Sequence, residues 1–80
     1  MITIYSKDGC PRCVNAKALL ESYDIDYQVE MIDKKPEARD FLLGEGHREV
    51  PQMYVGQDLL GSFSELTSMT KEQILDKVEV

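Results

Sequence analysis

The chain has 80 residues and a net charge of −6 at pH 7, with 42% apolar and 30% charged residues. A chain this short buries only about 60% of its unfolded surface, so we expect one domain over residues 1–80. The composition argues against disorder, and the acidic balance disfavours a nucleic-acid ligand. No apolar run reaches the roughly 18 residues of a membrane span. The first residues also lack a signal-peptide pattern, so we expect a cytoplasmic protein without a membrane partner.

The first half of the chain alternates strand and helix patterns. Residues 2–5 alternate β-branched and aromatic side chains, and residues 7–9 break that pattern. From Pro11 onward a helix is predicted, because proline suits the first helical turn and apolar side chains then recur at helical spacing. The apolar positions of that face are Ala16, Leu19, Leu20 and Tyr23. Residues 27–32 alternate again and predict a second strand, which completes a βαβ unit.

Proline and glycine positions predict a second helix and a hairpin. Pro36 can open a helix with one apolar side, and two glycines can end it. The apolar side chains are Ala38, Phe41 and Leu42, and the glycines are Gly44 and Gly46. Strand patterns at residues 52–55 and 58–60 flank Gly56-Gln57. That arrangement is typical of a two-residue hairpin, so these two strands should be antiparallel.

The chain returns to a helical pattern after Gly61. We predict Ser64 as the residue that caps this helical region. Thr70 and Gln73 form a capping-box pattern, so the helical region should be split near residues 68–70. The element order is then βαβαββα, which predicts an α/β protein with helices on both sides of a four-stranded mixed sheet.

Residues 10–13 read Cys-Pro-Arg-Cys at the predicted junction of strand and helix. This spacing places both sulfurs within one helical turn, close enough for a disulfide that opens and closes. At the helix start, unpaired N–H groups and the helix dipole should lower the pKa of Cys10, and Lys7 and Arg12 add positive charge nearby. We therefore predict the Cys10 thiolate as the nucleophile. The less exposed Cys13 would resolve the mixed disulfide.

Other uses of the two cysteines stay open from the residues alone. They could be incidental, although their place between strand and helix argues against this. A closed zinc site needs four ligands, and the sequence offers only His47 as a further conventional nitrogen or sulfur ligand. An iron–sulfur cluster shared between two chains remains an alternative, because a dimer could pool thiolates. An intact dithiol argues against a non-catalytic binding module. We assign no metal site.

The chain resembles the glutaredoxins. The resemblance rests on Ile-Tyr-Ser-Lys-x-x-Cys-Pro-x-Cys over residues 4–13, on Val-Pro-Gln over residues 50–52, and on Gly-Ser-Phe-Ser-Glu-Leu over residues 61–66. It implies the thioredoxin fold with sheet order 2-1-3-4. It also implies a dithiol oxidoreductase without a tightly bound cofactor. Such an enzyme reduces protein disulfides or glutathione mixed disulfides, and glutathione recharges it as co-substrate. Nothing in the sequence demands an oligomer, so we expect a monomer.

The resemblance further implies where substrates bind. Pro51 would follow a cis bond and face the cysteines, and Val50 would offer its backbone to the substrate in a short form of strand addition. Near Gly61, the backbone of Ser64 and Glu65 would receive the γ-glutamyl carboxylate of glutathione. The glycine carboxylate would bind a cation. The candidates for that role are Lys7, Arg12 and Arg48, and Pro11 completes the predicted binding residues.

Three residues depart from the glutaredoxin pattern. Arg12 stands where many members have tyrosine, Ser62 replaces the second glycine of a Gly-Gly pair, and Ser64 replaces an aspartate. These changes put tight glutathione recognition in doubt, and Glu65 could compensate.

Residues 47–51 read His-Arg-Glu-Val-Pro. This segment resembles the Phe-Arg-Gln-Leu-Pro type of the glutaredoxin-like redoxins that feed electrons to ribonucleotide reductase. Those redoxins are recharged by thioredoxin reductase, and this is the alternative function. Pro11 argues against it, because such redoxins usually lack proline between the cysteines. We interpret His47 itself as a surface residue.

Overall fold

The computed structural model describes residues 1–78. Its elements are β1 (Ile2–Ser6), α1 (Pro11–Ser22), β2 (Tyr27–Met31), α2 (Pro36–Gly44), β3 (Gln52–Val55), β4 (Asp58–Ser62), α3 (Phe63–Thr67) and α4 (Lys71–Val78). Every predicted element is present. The predicted split of the last helical region is also confirmed, because the Thr70 N–H donates to Gln73 Oε1 at 2.8 Å and the Gln73 N–H donates to Thr70 Oγ1 at 3.1 Å.

The four strands form one sheet in the order β2-β1-β3-β4. Strand β1 is parallel to β2 and antiparallel to β3, and β3 is antiparallel to β4. The parallel pair requires a crossover, which α1 supplies. The β3–β4 hairpin turns at Gly56, whose positive φ of 63° suits glycine. The predicted α/β class and the sheet order 2-1-3-4 are therefore confirmed.

Alternation along β1 sends side chains to two different faces of the sheet. Ile2 and Ile4 are fully buried in the larger core, which lies between the sheet and helices α1, α3 and α4. On the opposite face, Tyr5 stacks on Phe41 of α2 with ring centroids 5.3 Å apart, and both rings meet Tyr54 of β3 edge-on. Helix α2 is thus held to the sheet by aromatic contacts, apart from the core that carries α1.

The start of α3 differs from the prediction. Its N-cap is Ser62, in an extended conformation, and Ser64 lies inside the helix, so the prediction of Ser64 as the cap is wrong. The reason is that β4 continues to Ser62 and the helix follows at once. Ser62 and Glu65 then form a capping box. No helix within residues 1–78 combines the length and the apolarity that crossing a membrane requires.

Candidate active site

The two cysteines lie where β1 passes into α1. Cys10 is the N-cap of α1 with an extended backbone, and Pro11 occupies the first turn. The structure holds Cys10 and Cys13 as a disulfide with their Cα atoms 5.3 Å apart. Cys10 is half-buried, whereas Cys13 is 1% exposed. Of the two sulfurs, the one nearer to solvent therefore belongs to the predicted nucleophile.

Helix α1 also directs a hydrogen-bond donor at Cys10. The backbone N–H of Cys13 donates to Cys10 Sγ across 3.1 Å, as an N-cap side chain accepts from the third residue of a helix. A thiolate at this position would accept the same bond and lie at the positive end of the helix dipole. The lowered pKa of Cys10 stays a prediction, because both cysteines are disulfide-bonded here and do not titrate.

The segment before β3 faces the cysteines from the other side. The Val50–Pro51 peptide bond is cis, as the resemblance implied. Pro51 is buried, and the carbonyl oxygen of Val50 lies 3.7 Å from Cys10 Sγ. The backbone of Val50 is therefore next to the sulfur that would carry a substrate. Its role in docking remains a prediction.

Val50 and Glu49 separate two depressions in the surface. We call the first the α3 cleft; it holds about 20 Å³, and it is bordered by Arg12, Pro51 and the first residues of α3. We call the second the α2 groove; it holds about 320 Å³, and it lies between the Val50 segment and α2. A cavity of about 10–15 Å³ holds one water, so the cleft has room for about one water, whereas the groove has the size of a ligand site.

The predicted binding position of the γ-glutamyl carboxylate lies at the α3 cleft. At the N-terminus of α3, the carboxylate of Glu65 already forms the capping hydrogen bonds with Ser62. Glu65 Oε2 accepts from Ser62 Oγ at 2.7 Å, and Glu65 Oε1 accepts from the Ser62 N–H at 3.4 Å. These bonds hold the pKa of Glu65 below its usual value, the side-chain bond being the larger cause. Ser62, one of the departures from the glutaredoxin pattern, makes the capping box possible. The pattern Ser-x-x-Glu over residues 62–65 could have revealed it.

The three candidate cations are divided between the two depressions. Arg12 borders the α3 cleft, whereas Lys7 and Arg48 line the α2 groove together with Arg39, which the sequence reasoning missed. The apolar part of the groove was missed as well. It consists of Ile32, Leu42 and Leu43. Arg39, Leu42 and Leu43 are spaced as neighbours on one face of a helix. This spacing could have indicated that the three side chains lie together.

His47 is a surface residue whose imidazole contacts another side chain. It is half-buried, its Nε2 lies 2.7 Å from the hydroxyl of Tyr54, and it lines the α2 groove. Burial raises the pKa of Tyr54, with Glu45 as a smaller cause. His47 therefore lies at the surface, as interpreted from the sequence, and its contact with Tyr54 is what the sequence did not reveal. The reason is tertiary, because Tyr54 reaches His47 from β3.

The cations of the groove form no ion pair among the residues that the structure describes. Within residues 1–78 the ion pairs are Lys34 with Asp8 at 3.1 Å and Lys35 with Glu30 at 2.8 Å, so neither involves a groove residue. Among those same residues, no group of three or more His, Cys, Asp and Glu side chains is arranged to hold a metal ion.

Comparisons with known proteins agree with this geometry. The glutaredoxin family model matches residues 2–60, which include both cysteines and Pro51. The glutaredoxin of Pseudomonas aeruginosa is 34% identical over 76 residues, covering 94% of this chain and 90% of its own length.

Two solved structures are similar as well. The glutaredoxin of Brucella melitensis has a TM-score of 0.76 at 29% identity, covering 96% of this chain and 85% of its own. The glutaredoxin-like protein NrdH-redoxin of Escherichia coli has a TM-score of 0.74 at 27% identity, covering 86% of this chain and 93% of its own. With a Cys-x-x-Cys pair at the start of α1 and a cis-proline segment beside it, this chain belongs to the glutaredoxin family and is a thiol–disulfide oxidoreductase.

Proposed function

We propose that the chain is a dithiol reductase of protein disulfides in the cytoplasm. The Cys10 thiolate attacks one sulfur of the substrate disulfide, which forms a mixed disulfide and releases the first substrate thiolate. The Cys13 thiolate then attacks Cys10 Sγ, which closes the Cys10–Cys13 disulfide and releases the second substrate thiolate. Two electrons pass to the substrate in each cycle.

The different exposure of the two cysteines supports their assignment as attacking and resolving thiols. Cys10 is half-buried at the N-cap and faces the carbonyl of Val50, whereas Cys13 is 1% exposed and directly behind it. An incoming disulfide reaches Cys10 first, and Cys13 is already within bonding reach of Cys10. Attack by Cys10 followed by resolution by Cys13 is the order that this access favours.

For the reductant we propose glutathione as co-substrate. One glutathione thiolate attacks the Cys10–Cys13 disulfide at Cys10, and a second releases the reduced protein with formation of oxidised glutathione. Lys7 or Arg48 in the α2 groove would hold the glycine carboxylate. The γ-glutamyl carboxylate would have to displace Glu65 from Ser62 to reach the backbone of α3.

A second candidate reductant follows from that same contact. Because Glu65 bonds to Ser62 and the α3 cleft holds only about 20 Å³, the γ-glutamyl group of glutathione has no preformed cavity of its own size on that side. The Escherichia coli NrdH-redoxin, to which this chain is similar, is described as having a thioredoxin-like activity profile. The alternative is therefore a redoxin that thioredoxin reductase recharges and that serves ribonucleotide reductase.

A recycling assay separates the two reductants. The oxidised protein is mixed with NADPH and either glutathione with glutathione reductase, or thioredoxin reductase alone, and NADPH consumption is followed with a protein disulfide as electron acceptor. The proposal expects turnover with the glutathione system. Turnover with thioredoxin reductase and none with glutathione would contradict the proposal and establish thioredoxin reductase as the reductant.

Single cysteine variants test the order of attack. Cys10→Ser should abolish reduction of every disulfide, because the attacking thiolate is gone. Cys13→Ser should retain only reactions that release glutathione from a mixed disulfide, in which no resolving thiol is needed. Serine replaces one sulfur in each variant, so each serves as the matched control of the other. Equal losses toward glutathione mixed disulfides would contradict the assignment.

A further inference from the structure

The α2 groove extends the active site in one direction only. It begins at Val50, beside Cys10, and continues along α2 with a volume of about 320 Å³. On the other side of Val50, the α3 cleft holds about 20 Å³. A polypeptide that contacts the Val50 backbone can therefore continue into the groove, whereas the opposite direction offers no cavity of comparable size.

The surface of the groove combines apolar and positively charged side chains. Ile32 and Leu43 supply most of the apolar surface, because Leu43 is 55% exposed whereas Leu42 is 3% exposed. An exposed leucine next to an open groove is available to contact a partner's apolar side chain.

The charge of the groove is opposite to that of the whole chain. Lys7, Arg39 and Arg48 line it with Glu49 as the one lining carboxylate, although the chain has a net charge of −6. All three cations are exposed, and the ion pairs within residues 1–78 do not involve them. An acidic partner is repelled by most of this surface and attracted at the groove, so the charge pattern orients it toward Cys10.

We propose that the α2 groove binds an acidic polypeptide segment with an apolar side chain, adjacent to the disulfide of the protein substrate. The inference rests on the proposed function, because it requires Cys10 to attack a protein disulfide. The segment lies along Val50, its apolar side chain contacts Ile32 and Leu43, and its carboxylates face the three cations.

The test uses single-turnover oxidation of the reduced protein by short peptides with the same internal disulfide. One peptide carries leucine and glutamates on both sides of the disulfide, a second has lysines in place of the glutamates, and a third has serine in place of the leucines. At low ionic strength we expect the acidic peptide to react about tenfold faster than the basic one. The difference should shrink in 0.5 M salt because of screening. The serine peptide should react about fivefold more slowly than the leucine peptide.

A charge reversal in the groove gives the matched comparison. Arg39→Glu changes an exposed residue of α2 and keeps a good helix former, and it should reduce the acidic preference to about twofold or less. Lys71→Glu, at an exposed position at the start of α4, changes the net charge equally and should keep the preference. An equal loss in both variants, or an unchanged preference in Arg39→Glu, would overturn the assignment.

Hydroxyethyl disulfide, which is small and uncharged, separates this inference from the proposed function. If the reduced wild-type protein reacts with neither this probe nor the peptides, the proposed function fails. If it reacts with the probe and equally with the acidic and basic peptides, the function stands and the inference is overturned. If, in that second case, Arg39→Glu also raises the KM for glutathione, the groove binds glutathione rather than a polypeptide.

Discussion

Replacing Gly61 by alanine should destabilise the junction of β4 and α3. Gly61 has a φ of +144°, a conformation that residues with a side chain rarely adopt. A Cβ added there would lie 2.6 Å from the Cβ and 3.2 Å from the Cγ of Glu65. The Cβ of Glu65 is fixed by the backbone of α3, so rotation of its side chain cannot remove the overlap.

The expected loss has two parts. A residue forced into an unfavourable backbone region costs about 1–3 kcal/mol, and an overpacked methyl group costs about 1–3 kcal/mol more. We therefore expect the free energy of unfolding to fall by about 2–6 kcal/mol. A chain of 80 residues has roughly 4–12 kcal/mol in total, so this single methyl group should remove a large share of the stability.

Urea unfolding followed by far-ultraviolet circular dichroism measures the loss, with all proteins in the same redox state. Gly44→Ala is the control, because a Cβ there meets no atom within 4 Å; it should stabilise the fold by about 0.4–1 kcal/mol. In a Glu65→Gly background, Gly61→Ala should cost only the backbone part, about 1–3 kcal/mol. A loss below about 1 kcal/mol for Gly61→Ala alone would refute the steric argument.

Three further variants test other contacts by urea unfolding. The pKa of Glu65 is lowered in the folded state, so the stability that its carboxylate contributes should be lost as the pH falls below 4.5. In Glu65→Gln the free energy of unfolding should depend less on pH in this range; the same pH dependence as in the wild type would contradict the capping box. The hydrogen bond to Glu21 raises the pKa of Tyr27 to about 12, so stability should fall between about pH 10 and 12 in the wild type and less in Tyr27→Phe; identical alkaline curves would count against that bond. Tyr54→Phe leaves the half-buried His47 without its partner and should cost about 1 kcal/mol at pH 7; no loss would mean that water replaces the hydroxyl.

Local patterns predicted those parts of the fold that depend on near neighbours in the chain. The capping box of Thr70 and Gln73, the glycine turn at Gly56 and the helix start at Cys10 each involve residues no more than three apart. Such interactions use the backbone donors of a single turn, so the residue types identify them. The cap at Ser62 belongs to this class as well. It was missed because the preceding strand was predicted to end two residues too early.

The α2 groove could not be predicted in the same way. Lys7, Arg39 and Arg48 come from three separate parts of the chain, and only the packing of α2 on the sheet brings them to one cavity. The burial of His47 likewise depends on Tyr54 in β3. Hydrophobic periodicity predicts the buried face of a single helix or strand, and it does not predict which distant segments contact each other.

The attachment of α2 to the sheet has a consequence for how this protein can change its partners. Tyr5 and Phe41 hold α2 on one face, whereas α1 packs in the core on the other. The outward positions Arg39 and Leu43 are exposed and do not belong to that core. On the proposed assignment, the α2 residues that contact a substrate and the two cysteines lie on different helices. Substitutions at Arg39 and Leu43 should then change the substrate preference without altering the Cys10–Cys13 pair.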